Sequence, residues 1–123
     1  MLRNILLVGL GGAVGSVLRY AVSLLITTRY FPYATLSVNI IGSFLIGLIM
    51  AMAMKEGSLF DNWRLFLATG ICGGFTTFSA FSFENLALLQ NGKYMYVLMY
   101  IMISVCAGIL ATWAGFRLIT HNS

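Results

Sequence analysis

Charge is what this chain has least of. Only 8% of its 123 residues are Asp, Glu, Lys or Arg, against about 25% in a soluble domain. Too few charges remain to cover a water-facing surface, while 60% of the residues are hydrophobic and the mean hydropathy is +0.95. An ordinary soluble domain is excluded, and a single-domain integral membrane protein is expected. Histidine and proline occur once each. The two cysteines, Cys72 and Cys106, fall inside apolar segments and read as small buried hydrophobes, not as a disulfide or a metal site. No His, Cys, Asp and Glu cluster has ligand spacing and no Ser-His-Asp set stands out, so no enzyme is expected, and no nucleic-acid partner. The first apolar run is too long for a cleaved leader and lacks a small-residue cleavage site, so it is expected to remain as a span.

Four spans can be drawn, at about residues 5–27, 35–54, 65–89 and 94–119. Each meets the requirement of about 20 residues for a hydrocarbon core of about 30 Å. The linkers between them are short. Pro32 stops any helix from running through the first, and Gly92 suits a helix C-cap in the third. Tyr30, Phe31, Tyr33, Trp63, Tyr94 and Tyr96 cluster near span ends, as an interfacial aromatic belt would. The N-terminal side carries Arg3, Lys55, Arg64 and Arg117, and the opposite side Arg29 and Lys93. Lys and Arg bias sets orientation, and four against two is a weak bias. A single orientation and a mixture of both, pairing as an antiparallel homodimer, are equally compatible with that count.

The stretch from Gly70 to Ser82, Gly-Ile-Cys-Gly-Gly-Phe-Thr-Thr-Phe-Ser-Ala-Phe-Ser, interrupts the third span. Gly73-Gly74 costs a helix roughly 1 kcal/mol per glycine relative to alanine. A break here frees backbone groups at bilayer depth, which is tolerated only where protein buries them or a wet cavity takes them up. Broken helices of this kind build ion sites from carbonyls and half-helix ends. Close packing through glycine, with Ser and Thr bonding back to the preceding turn, is the other reading.

Polar residues elsewhere in the spans carry similar alternatives. Gly11, Gly12, Gly15 and Ser16 form small-residue pairs four apart, read as a packing face. Arg19 is the one Lys or Arg well inside a span; it either snorkels to the span end or holds an anion entrance or a helix end. Asn39 needs partners, on another helix or along a wet path. Phe78 and Phe81 are three apart and share a helix face. They either pack in a core or offer their electropositive ring edges to a small anion. Glu84 is the acid within a span, and is read as a proton carrier or a hydrogen-bonded structural group. Tyr100, Ser104, Gly108 and Thr112 recur every fourth residue, as a hydroxyl track or as a contact face.

Three motifs then stand together: Gly11-Gly12-x-x-Gly15-x-x-x-Arg19, Thr35-Leu36-x-Val38-Asn39, and Gly73-Gly74-x-Thr76-Thr77-Phe78-Ser79-x-Phe81-Ser82-x-Glu84. In order and spacing they resemble the Fluc (CrcB) fluoride ion channels. The resemblance implies an all-α membrane protein of four transmembrane helices per subunit, with a break in the third. It implies an antiparallel, dual-topology homodimer in a bacterial plasma (inner) membrane that exports cytoplasmic fluoride passively and confers fluoride resistance. Phe78 and Phe81 would touch fluoride, Asn39 and Ser79 would donate along the path, and Arg19 would lie near the entrance. Tyr100 and Ser104 would form the fourth-span track, with Glu84 near the pore. Backbone carbonyls of Gly73 and Thr76 would hold a structural sodium ion at the dimer axis. Two departures stand out: Ala80 where the family often has Thr, and Gly108 where a serine is expected. The alternative is a small multidrug-resistance-type proton-coupled exporter using Glu84, although that family keeps its essential acid in the first span.

Overall fold

The computed structural model describes residues 1–27 and 31–121, and every element among them is helical. Arg29 and Tyr30, counted above toward orientation and the aromatic belt, lie outside the described residues. Three helical runs are long and apolar enough to cross a membrane: Leu2–Leu25, Tyr33–Gln90 and Tyr94–Thr120. The first is α1 and the last α6. The middle run holds 58 residues, but it is not straight. Asn39 bonds Thr77, and Gly42 lies against the Thr76 side chain. The run therefore folds back on itself, and its two arms pack antiparallel.

The reversal follows from local chemistry. Helix α2, Tyr33–Glu56, starts directly after Pro32 and ends at Gly57, whose φ of 66° lies in the left-handed region that glycine enters without a Cβ penalty. A tight turn over Gly57–Phe60 leads into α3, Asp61–Arg64. Residues Leu65–Cys72 continue as a π-helix, followed by the short α4, Gly73–Phe75. Thr76 and Thr77 are extended, and α5, Phe78–Gln90, begins after them. The helix thus breaks at Thr76-Thr77, inside the expected Gly70–Ser82 stretch and two residues past Gly74. Gly73-Gly74 stays helical, and Gly74 sits against the backbone of Gly12, where a side chain would collide. At the end of α5, Gly92 has φ 74°, with Gly92 N–H on the Leu89 carbonyl (3.0 Å) and Lys93 N–H on the Leu88 carbonyl (2.9 Å). This paired pattern satisfies carbonyls the helix end would leave bare.

Packing runs through backbone, as the small-residue pairs predict. Gly11 and Gly15 bring α1 onto the π-helix and α4, against Phe66, Gly70, Ile71 and Phe75. Gly47 and Gly115 bring α2 and α6 together, each facing main-chain atoms of the other helix. Apolar side chains that cannot fit between such close backbones point outward, so Leu10, Val17, Ile109, Leu110 and Trp113 are exposed. In a bilayer that exposure carries no hydrophobic cost. One expectation changes. Cys106 faces outward, and only Cys72 is buried. Phe31 meets two other residues of the expected aromatic belt, Tyr33 (5.0 Å) and Tyr96 (6.0 Å), and also packs in a buried cluster with Leu88 and Tyr100.

The glycine contacts generate a paired prediction. Gly47→Ala or Gly115→Ala will force α2 and α6 apart and lower stability by about 1–3 kcal/mol. Gly9→Ala, which meets nothing within 4 Å, will leave stability unchanged or slightly raised. Thermal unfolding midpoints in detergent check both.

Candidate functional site

The break at Thr76-Thr77 is the centre of the site. In an unbroken helix Thr77 N–H would bond the Gly73 carbonyl and Ala80 N–H the Thr76 carbonyl. Here Thr77 N–H donates to Asn39 Oδ1 (2.9 Å), and Asn39 Nδ2 donates back to the Thr77 carbonyl (3.2 Å). The amide of Asn39 therefore stands in for a neighbouring backbone. Ala80 N–H donates to Thr77 Oγ1 (3.1 Å), so Thr77 caps α5. Thr77 Oγ1 also lies 3.2 Å from Ser79 Oγ. Thr76 Oγ1 bonds back to the Cys72 carbonyl (2.9 Å). The carbonyls of Gly73 and Thr76 are left without their usual helical donors.

Arg19 does not snorkel outward. Its Nε donates to the Gly74 carbonyl (3.1 Å), placing positive charge at the C-terminal end of α4, where carbonyl dipoles favour it. Glu84 is tied on both oxygens: Tyr100 OH donates to Oε1 (2.8 Å) and Thr35 Oγ1 to Oε2 (2.7 Å). Tyr100 is fully buried. Its ring meets Phe81 edge-on at 4.8 Å and 61°, and Phe81 lies 5.7 Å from Phe78. Phe78 itself is 77% exposed.

Two clefts flank the break. One, of about 440 Å³, is lined by Asn39, Gly73, Thr76, Phe78, Phe81 and Ser104 among others. The other, of about 200 Å³, is lined by Arg19, Tyr20, Ser23, Thr35, Thr77 and Glu84. Thr77 borders both. The larger cleft adjoins a third cleft, of about 610 Å³, through Ser43 and Ser104 toward Gly108 and Thr112. Ser104 Oγ is buried and has no hydrogen-bond partner among the described residues, whereas Thr112 Oγ1 bonds back to the Gly108 carbonyl (3.1 Å). The residues singled out in the sequence thus divide. Asn39, Phe78, Phe81 and Ser104 share one cleft with Gly73 and Thr76, and Arg19 and Glu84 share another. Ser79 is exposed beside Thr77, and Tyr100 lies under Phe81.

Thr35, Ser43 and Thr77 also belong to the site and were not singled out as such. A signal was present: Thr35, Asn39 and Ser43 are spaced by four on α2 and share one face. Asn39→Ala will leave Thr77 N–H and its carbonyl unpaired in a low-dielectric setting. Each such group costs about 1–3 kcal/mol, and the loss will appear as a lowered unfolding midpoint.

A family model described as "CrcB-like protein, Camphor Resistance (CrcB)" matches residues 6–116. The chain is 46% identical over 121 residues to a fluoride-specific ion channel FluC of Azobacteroides pseudotrichonymphae, covering 96% of this chain and 97% of that one. It is 49% identical over 120 residues to the protein of that name from Rhizobium meliloti (95% of this chain, 96% of the relative). It is 48% identical over 120 residues to one from Thermus thermophilus (95% of each). The matched region contains the glycine contacts, the threonine break and both clefts, and the chain belongs to the CrcB family.

Proposed function

We propose that this protein is a fluoride-selective ion channel, not an enzyme, that lets fluoride leave the bacterial cytoplasm passively across the plasma membrane. The observation that carries this is one cleft at a helix break that gathers Asn39, Phe78, Phe81 and Ser104, in a chain whose full-length relatives are named for fluoride. Fluoride is small and holds water tightly. A path must replace that water with closely spaced donors. Asn39 spends one N–H on Thr77 and has a second to offer. Ser104 has an uncommitted hydroxyl. The edges of Phe78 and Phe81 add weak positive character with no mobile cation nearby. The exporter reading needs Glu84 open to a cationic cargo, and Glu84 is already held by two hydroxyls.

In this reading the folded-back middle run supplies two spans, so the single domain has four. The exposure of Phe78 is then explained by a second copy packed against the cleft. The weak Lys and Arg bias allows that copy to insert the opposite way, giving an antiparallel homodimer with a fluoride path on each side of its axis. The freed carbonyls of Gly73 and Thr76 suit a hard monovalent cation: they are oxygen donors, their residues line the cleft, and the break has removed their helical partners. A structural sodium ion held by these carbonyls from two copies would neutralise their converging dipoles.

Fluoride and chloride release from liposomes holding the purified protein, read in parallel, tests the function. Fast fluoride release with negligible chloride release is expected, and silence from a folded dimer would overturn it. Phe78→Ile and Phe81→Ile should each lower fluoride flux by about tenfold or more while the dimer survives, since an aliphatic chain has no electropositive edge. Replacing sodium with a bulky organic cation should lower the dimer's thermal stability; an unchanged midpoint would remove the carbonyl site from the account. A cysteine-reactive reagent should reach a C-terminal tag from both sides of the membrane, and labelling from one side alone would rule out dual topology.

A further inference from the structure

We propose that Glu84 is a positioning residue: through the Tyr100 hydroxyl it fixes the ring of Phe81 in the cleft, and it acts by hydrogen bonding, not by charge. The inference rests on the reading that Phe81 lines the fluoride path. Phe81 and Glu84 are three apart on α5 and project from neighbouring turns of one face. Tyr100 comes from α6 and Thr35 from α2, so the carboxylate joins three helices at one point. Tyr100 has no exposed surface. One contact of its ring is Phe31, at 5.3 Å, and another is Phe81, at 4.8 Å. The hydroxyl is the one polar end of that buried ring, and Glu84 Oε1 is the acceptor that fixes it. Phe81 has Tyr100 behind it and the cleft in front. If the hydroxyl were released, Tyr100 could rock and Phe81 would lose the wall that sets its edge. The carboxylate sits behind the aromatic pair, bordering the smaller cleft and not the larger one. It can therefore orient the path without presenting negative charge to an anion inside it.

A glutamine side chain can make both contacts without charge. Its carbonyl accepts from Tyr100, and its NH₂ donates to Thr35 Oγ1, which can accept as well as donate. This separates positioning from charge. Fluoride flux in liposomes is measured for Glu84→Ala, Glu84→Gln, Tyr100→Phe, the Glu84→Ala/Tyr100→Phe pair and Phe81→Ile, each first passed as a dimer by size exclusion. Glu84→Ala and Tyr100→Phe should each lose about tenfold, the loss of a hydrogen bond to a charged group. The pair should lose no more than the worse single, because both remove one tether. Glu84→Gln should recover flux to within about threefold of the unsubstituted protein, given that both contacts survive. Glu84→Gln as inactive as Glu84→Ala would assign the role to charge and overturn the proposal. So would losses that multiply in the pair, or full flux in Tyr100→Phe. If Glu84→Ala does not yield a dimer, Tyr100→Phe and Glu84→Gln decide the matter between them. Full flux in Phe81→Ile would instead refute the aromatic path itself; low flux there with full flux in Tyr100→Phe would refute only the tether.

Discussion

A backbone that stops being helical inside an apolar environment must find other partners, and the pairing of Asn39 with Thr77 is how this chain meets that requirement. Two hydrogen bonds from one side-chain amide satisfy both the N–H and the carbonyl of Thr77. That frees Thr77 Oγ1 to cap α5. With α5 started there, Phe78 and Phe81 are aimed into the larger cleft and Glu84 onto Tyr100 and Thr35. The carbonyls of Gly73 and Thr76 are released in the same step, and Arg19 takes up that of Gly74. Donor-rich, aromatic and carbonyl surfaces all come from one interruption of one helix.

The interruption is held still by its surroundings. Gly11, Gly12 and Gly15 let α1 lie against main chain of the π-helix and α4, so the segment before the break has little room to shift. Gly47 and Gly115 lock α2 to α6 in the same manner, which fixes Asn39 and Ser104 relative to each other. Contacts made through backbone are stiff because few rotamers are left to absorb a displacement. A site that must strip water from a small ion needs that stiffness, since donors a fraction of an ångström too far apart no longer replace the hydration shell.

Helix positions were readable in the sequence because long apolar runs, Pro32 and Gly92 act locally. The small-residue pairs were readable for a similar reason: close approach leaves a spacing of four in the chain itself. The exact place of the break was not. Local propensity favours Gly73-Gly74, but Gly74 is needed by Gly12 and Thr77 is claimed by Asn39, and both demands come from other helices. Glu84 could be recognised as special without its role being visible, because Thr35 and Tyr100 reach it from α2 and α6. Cys106 was misplaced for a similar reason: which side of a helix faces inward is weakly marked when nearly every residue is apolar.

The π-helix at Leu65–Cys72 has a consequence for the rotational register of everything after it. A π-turn accommodates one more residue than an α-turn over the same length, so such a segment behaves as an insertion absorbed within the helix. Each residue of an α-helix advances the side chains by about 100° around the axis. Gly70 lies inside the segment and Gly74 just after it, and both meet the backbone of α1. A single-residue deletion within Leu65–Cys72 would therefore act at a distance, swinging Phe78 and Phe81 away from the cleft while every hydrophobic side chain remained hydrophobic.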